Sequence, residues 1–247
     1  MNTYKTAEVA AIIGIHPNTV RLYEKWGLIP KPERKENGYR IFTDLHIQQI
    51  RIARTAFQIE ILQGGLRKKI VDMVKASAAG DFEKAIVLTR EYLEQLGKEQ
   101  QNAEEAIQIV QNIMSGSSKR NPLSMKRKEV SEYLGISMDT LRNWEMNGLL
   151  TVKRKENGYR VYTEDDIRKL KIIRSLRCAN YSLEAILHLL DQLSKNPDTD
   201  IRTALNVPRQ ADSIISVCDR LIVSLSEAEK NGEKILCMLE KMKTYNL

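Results

Sequence analysis

The sequence predicts a mainly α-helical protein: two winged helix-turn-helix domains, each followed by a long helix, with the two long helices pairing as an antiparallel coiled coil. Three observations predict it. A seven-residue string occurs twice, a helix–turn–helix pattern precedes each occurrence, and a proline-free stretch with heptad spacing follows each. Residues 34–40 and 154–160 both read Arg-Lys-Glu-Asn-Gly-Tyr-Arg. Upstream the match continues at a separation of 121: Glu8-Val9 with Glu129-Val130, Gly14-Ile15 with Gly135-Ile136, and Thr19, Arg21, Glu24, Gly27 and Leu28 with Thr140, Arg142, Glu145, Gly148 and Leu149. Pro30-Lys31-Pro32-Glu33 then gives way to the shorter Thr151-Val152-Lys153, and the separation becomes 120, with Thr43 matching Thr163 and Ile47 matching Ile167. A one-residue length change at that point marks a loop. Self-similarity of this extent means a duplicated fold unit.

Within the first copy, Thr6–Ile13 reads as a short helix, with Thr6 as N-cap and Val9, Ile12 and Ile13 as its apolar stripe. Gly14 suits the turn, and Pro17 suits the first position of a second helix that stops near Gly27. The second copy repeats this with Lys128–Leu134, Gly135 and a helix from Met138, capped by Ser137, a stronger cap than His16. Helix, Gly-containing turn, helix is the helix-turn-helix pattern. Asn37-Gly38 predicts a two-residue hairpin turn with both central residues at positive φ, which makes residues 34–42 a short basic wing. Thr43 and Thr163 cap helices at about 44–57 and 164–177, and short helices follow at about 66–76 and 183–193.

Residues 81–114 place Ile86, Leu93, Ile107 and Met114 on one heptad position and Thr89, Leu96, Ala103 and Val110 on the other. Residues 211–245 place Ile214, Leu221, Ala228, Ile235 and Met242 on one seam and Cys218, Leu225, Gly232 and Leu239 on the other. Such seams need a partner, and the obvious one is the other long helix. The expected domains are therefore 1–80, a first winged helix-turn-helix; 81–114, a first coiled-coil helix; 115–123, a linker; 124–195, a second winged helix-turn-helix; and 211–245, a second coiled-coil helix. An intramolecular pseudo-dimer is expected, with a homodimer formed by exchanged long helices as the alternative.

Net charge is +7, and it is not evenly spread. Residues 1–75 hold 13 Lys/Arg against 7 Asp/Glu, and residues 124–195 hold 14 against 10, whereas the stretches between and after are slightly acidic. Two basic blocks fit a phosphate-binding surface on each copy. No apolar run reaches the ~18 residues of a membrane span, and no signal peptide opens the chain, so a cytoplasmic location is expected. The three cysteines, Cys178, Cys218 and Cys237, are widely spaced and form no CxxC pair, so neither a disulfide framework nor a metal or other cofactor is expected. No Ser/His/Asp set, phosphate loop or HExxH motif occurs, which argues against an enzyme.

The strings Thr19-Val20-Arg21-Leu22-Tyr23-Glu24-Lys25-Trp26-Gly27-Leu28-Ile29 with Asn37-Gly38-Tyr39-Arg40, and Thr140-Leu141-Arg142-Asn143-Trp144-Glu145 with Gly148-Leu149-Leu150 and Asn157-Gly158-Tyr159-Arg160, resemble the MerR family of bacterial transcriptional regulators. The resemblance implies a dimerisation helix after each head and a mechanism in which an over-long promoter spacer is bent and untwisted so that RNA polymerase engages both of its elements. Two heads in one chain depart from the family's usual pair of identical chains. With the sequence ending at Leu247, no separate effector domain is expected.

A recognition helix turns its N-terminal residues to base edges in the major groove. That nominates His16, Asn18 and Arg21 in the first head and Ser137, Asp139 and Arg142 in the second. Arg reads guanine bidentately and Asn reads adenine. Thr19, Thr140, Tyr23 and Trp144 are nominated as phosphate anchors, with burial in the core as the competing reading for the two aromatics. In the wings, Lys35, Asn37, Tyr39 and Arg40, and Lys155, Asn157, Tyr159 and Arg160, are expected to grip backbone or minor groove. Arg40 and Arg160 equally suit ion pairs with Glu24 and Glu145. The leading expectation is a promoter-binding regulator that meets double-stranded DNA at two unequal half-sites, with RNA polymerase as an indirect partner. The alternatives are a DNA-architectural or recombination-accessory protein, and a small-molecule sensor with its site between heads and coiled coil.

Overall fold

The computed structural model describes residues 2–58, 65–114, 124–153, 159–195 and 214–244. The chain divides into two compact units. The first comprises residues 1–61, 65–97 and 224–247, and the second residues 62–64 and 98–223. Described residues are mainly helical, and the strands are two to four residues long.

The first unit opens with β1 (Thr3–Tyr4), α1 (Thr6–Ile13), α2 (Pro17–Lys25), β2 (Glu33–Arg34), β3 (Arg40–Thr43), α3 (Asp44–Ala56) and α4 (Leu66–Ala78), after which α5 (Phe82–Met114) begins. β3 is the middle strand of an antiparallel sheet, pairing Thr3 with Thr43 and Tyr4 with Phe42 on one edge, and Glu33 with Ile41 and Arg34 with Arg40 on the other. Thr6 is not the N-cap of α1. Lys5 holds that place, and its N–H donates to Glu8 Oε2 at 2.7 Å, half of a capping box. The wing also differs from expectation. Lys35 N–H donates to the Tyr39 carbonyl at 2.9 Å, which encloses Glu36, Asn37 and Gly38, and only Gly38 has a positive φ, 80°. This is the three-residue hairpin with a glycine in the left-handed region. Asn37 instead uses its side chain, which accepts from Tyr39 N–H at 3.3 Å.

The core of this head is Val9, Val20, Leu28, Ile29, Phe42, Ile50, Ile52 and Met73, all buried. Among them sits a polar clip. Fully buried Gln49 donates to the Leu28 and Val74 carbonyls at 3.2 and 3.1 Å and accepts from the Ser77 hydroxyl at 2.7 Å, so α3, α4 and the segment after α2 are tied by satisfied hydrogen bonds. Within the same unit, α5 meets the C-terminal half of the last helix, which is α10 (Ile214–Thr244) after α6–α9 below. Glu83 pairs with Lys243 at 2.9 Å and Arg90 with Glu240 at 3.5 Å, while Leu93 packs over Gly232. A Cβ on Gly232 would lie 2.7 Å from Leu93 Cδ2, so glycine permits this close approach.

The second unit contains the rest of α5, β4 (Ser124–Met125), α6 (Arg127–Leu134), α7 (Met138–Met146), β5 (Tyr162–Thr163), α8 (Glu164–Cys178), α9 (Leu183–Lys195) and the start of α10. β4 and β5 pair antiparallel, Ser124 with Thr163 and Met125 with Tyr162. Its core is Val130, Leu141, Trp144, Leu149, Tyr162, Leu170, Ile172, Ile173 and Leu176.

Burial along α10 follows the two expected seams, from Ile214 and Cys218 to Leu239 and Met242. On α5 one seam is displaced. Thr89, Leu96, Ala103 and Val110 are buried as expected, but the second buried row is Ala85, Tyr92, Glu99 and Ala106, with Ile86 also buried and Leu93 and Ile107 only half-buried. Apolar spacing alone favoured the larger Ile and Leu side chains one residue later. The thiols of Cys178 and Cys218 are buried, and burial pushes both up to about 12.

Candidate nucleic-acid interface

In the first head, α2 turns Val20 and Tyr23 inward and leaves Asn18, Arg21 and Lys25 exposed. His16 caps the helix, its Nδ1 accepting from Asn18 N–H at 3.2 Å. Arg21 Nη1 donates to Asn18 Oδ1 at 2.7 Å, so the two nominated base readers are joined on the open face. Behind them, Arg40 Nε lies 2.5 Å from Glu24 Oε2 and Arg34 3.6 Å from Glu24 Oε1. One carboxylate on α2 thus fastens both strands of the wing to the recognition helix. A cleft of about 650 Å³ runs beside this surface, lined by Arg21, Lys25, Lys31, Arg40 and Lys75, with Glu24 its one acid among the described residues. Five cations around one cleft concentrate positive potential where an anion would approach.

The second head repeats the frame with different chemistry. Ser137 Oγ accepts from Thr140 N–H at 3.0 Å and caps α7. Asp139 and Arg142 occupy the places of Asn18 and Arg21 and are exposed, but they are not hydrogen-bonded to each other. Glu145 is buried deeper than Glu24, at 7% against 12% side-chain exposure, and gathers more partners: Arg160 at 3.1 Å, Arg127 at 2.5 Å and the Tyr162 hydroxyl. Burial pushes the Tyr162 phenol up to about 12; the Arg127 hydrogen bond opposes this and Glu145 reinforces it. The phenol is therefore a proton donor to Glu145 at neutral pH. The exposed ends of α7 are apolar: Met138 is 52% and Met146 76% exposed, where α2 has Pro17 and Lys25.

Two family models match the chain. The model described as MerR family regulatory protein covers residues 5–42, and that described as MerR HTH family regulatory protein covers residues 125–193. The chain is 32% identical over 108 residues to the HTH-type transcriptional regulator HmrR of Rhizobium leguminosarum bv. viciae, which covers 44% of this chain and 81% of that protein. It belongs to the MerR family. Within the family, it is 40% identical over 53 residues to the HTH-type transcriptional regulator CueR of Escherichia coli and 39% identical over 64 residues to AdhR of Bacillus subtilis. Those matches take 22% and 26% of this chain and span 39% and 46% of the two relatives. No solved structure matches the chain.

As a MerR-family chain with two MerR-type modules, it carries two candidate interfaces whose expected residues fall into three groups. Asn18, Arg21, Lys35, Asn37 and Tyr39, and Asp139, Arg142 and Tyr159, are on open surface, with Tyr39 and Tyr159 each 70% exposed at the wings. His16 and Ser137 are exposed but spend an acceptor on capping, and Thr19 and Thr140 are half-buried beside them. Tyr23 and Trp144 are buried, 9% and 4% exposed, as the competing core reading expects, because each lies three residues after a fully buried Val20 or Leu141 on the inward stripe. Arg40 and Arg160 take the ion-pairing role. Lys155 and Asn157 lie outside the described residues. Sequence reasoning missed Lys25, Lys31 and Lys75. Lys25 was legible one turn after Arg21, but Lys75 joins the cleft only through the packing of α4. No helix is long and apolar enough to cross a membrane, and no group of three or more metal-ligating side chains occurs, both among the described residues.

Proposed function

We propose that the chain is a transcriptional regulator that binds double-stranded promoter DNA through both heads, one per half-site, and distorts the spacer between them. The observation that carries this reading is the acid clamp in each head: Glu24 and Glu145 each hold a wing arginine against the recognition helix, so helix and wing are presented as one surface. Phosphate contacts position such a surface, and base-edge contacts from Asn18 and Arg21, or Asp139 and Arg142, specify sequence. Asp139 suits a cytosine amino group where Asn18 suits adenine, so the operator has unequal half-sites. The opposed ion pairs Glu83–Lys243 and Arg90–Glu240 support antiparallel pairing of α5 with α10, which makes one chain an intramolecular counterpart of a two-chain dimer. The names of HmrR, CueR and AdhR as HTH-type transcriptional regulators favour the same role.

Arg21→Ala combined with Arg142→Ala tests it. DNA affinity on the footprinted operator falls by at least tenfold in the double variant, and binding-site selection returns an imperfect palindrome. Unchanged affinity would remove the basis of the proposal. In-vitro transcription on the same site separates regulation from DNA bending alone.

A further inference from the structure

The repeat continues into α3 and α8 at the separation of 120, so Arg51, Arg54 and Thr55 correspond to Lys171, Arg174 and Ser175, and at 121 Ile12 corresponds to Tyr133. In each unit these residues face a long helix, but the two units complete the arrangement differently.

In the second unit the chain supplies its own anions. Arg174 makes two bonds to Glu99 of α5, at 2.8 and 2.9 Å, and the Glu99 side chain is only 5% exposed. Lys171 donates to Glu105 at 2.5 Å and to the Tyr133 hydroxyl at 2.9 Å, and lies 4.9 Å from the centre of the Tyr133 ring. Burial would lower the Lys171 pKa, but the bonds to Glu105 and Tyr133 outweigh it and leave it raised. A cavity of about 220 Å³ remains.

In the first unit the facing helix is α10, and it offers Lys234, Cys237 and Met238. Among the described residues, no carboxylate lines the groove. Arg51, Arg54 and Lys234 are without an acidic partner among the described residues. Ile12, 46% exposed, replaces the tyrosine that reaches over Lys171, and the groove opens to about 550 Å³. Three cations are thus gathered against an apolar wall of Ile12, Ile13 and Met238, at the place where the other unit holds two buried or half-buried ion pairs.

We propose that this groove binds a small organic anion with an apolar body, an aryl or alkyl carboxylate that serves Arg51 and Arg54 as Glu105 and Glu99 serve Lys171 and Arg174. A guanidinium fork matches a carboxylate in two parallel hydrogen bonds. Clustered cations without an acid among the described residues favour an anion, and the volume is that of a small-molecule site. The bound anion ties α3 to α10, as Glu99 ties α8 to α5.

Cys237 reports occupancy, because Cys178 and Cys218 are buried and it is the exposed thiol of the three. With the full chain, saturating 2-naphthoate slows alkylation of Cys237 by iodoacetamide at least fivefold, whereas neutral 2-naphthamide leaves the rate within twofold. Arg54→Gln with Lys234→Gln removes the protection. Cys237→Glu, which builds a carboxylate into the groove at an exposed position, weakens naphthoate binding at least tenfold by calorimetry, while Lys171→Gln in the second unit leaves it unchanged. Absence of protection by naphthoate, equal protection by the amide, or undiminished binding to Cys237→Glu would each overturn the proposal. None of these readouts uses DNA, so they stand or fall apart from the reading of the heads.

Discussion

The two heads share a frame and a wing sequence, yet they hold that wing by different means. In the first, Glu24 meets Arg40 and Arg34 above an apolar floor, where Phe42 packs edge-on to His46 with ring centres 5.4 Å apart. In the second, Tyr162 stands where Phe42 does, Arg127 stands where Thr6 does, and both turn to Glu145. One hydroxyl and one guanidinium convert an apolar support with a surface clamp into a polar network. A duplicated scaffold can therefore keep its outward geometry while its inward chemistry drifts, provided each buried polar group retains a partner.

The largest expected difference follows from that network. Glu145→Ala leaves Arg127, Arg160 and the Tyr162 hydroxyl without their shared acceptor and costs ~3 kcal/mol, at the lower end for breaking a buried pair because the arginines are partly exposed. Glu24→Ala costs ~1–2 kcal/mol, since Glu24 is itself less buried than Glu145 and no phenol depends on it. Urea unfolding followed by hydrogen exchange in each head measures both. Equal losses would break the comparison, and Tyr162→Phe sharpens it by bringing the second head to the level of the first.

A smaller effect is expected at the recognition helices. Lys25→Met, which copies Met146, lowers the magnitude of the salt slope of DNA binding by ~0.9, the release of about one phosphate contact, and Met146→Lys raises it by the same amount. Affinity measured across a salt series gives the slope, and no change in either variant would mean that this turn of helix does not face phosphate.

The smallest effect is a pH response confined to one head. Thr43 N–H donates to His46 Nδ1 at 3.1 Å, whereas Thr163 N–H donates to Asp166 at 2.8 Å. Burial lowers the His46 pKa below 6.5, partly opposed by the Pro30 carbonyl. The folded head resists a proton that the unfolded chain accepts near 6.5, so stability is full above that pH, declines as pH falls through it, and stops declining below the depressed folded value. Hydrogen exchange at pH 7.5 and 5.5, corrected for intrinsic rates, shows a several-fold loss of protection in α3 and none in α8. His46→Asp abolishes the difference; a matching response in α8 would refute it.

The duplication, the helix-turn-helix pattern and the seams of α10 were legible in the sequence because each is a local rule: an identity at fixed separation, a cap, a repeat of seven. The bonded pair Asn18–Arg21 is of the same kind, three residues apart on one helix. The displaced seam of α5 was not legible, since Ala85 and Tyr92 compete with Ile86 and Leu93 for the same stripe and only the packing partner decides. The wing turn was misread because Asn-Gly permits two hairpin geometries, and the side-chain bond of Asn37 selects the longer one.

What the sequence determined by itself was a repeated helical module with a basic face, because periodicity and charge are properties of neighbours along the chain. Tertiary structure decided which residues of that module face outward and which side chains share a carboxylate. It sent Tyr23 and Trp144 inward, gathered Lys75 beside Arg21, and, among the described residues, left Arg51 and Arg54 without the acids that their counterparts enjoy. Burial and charge compensation depend on groups 50 to 180 residues apart, and no spacing along one helix encodes that distance.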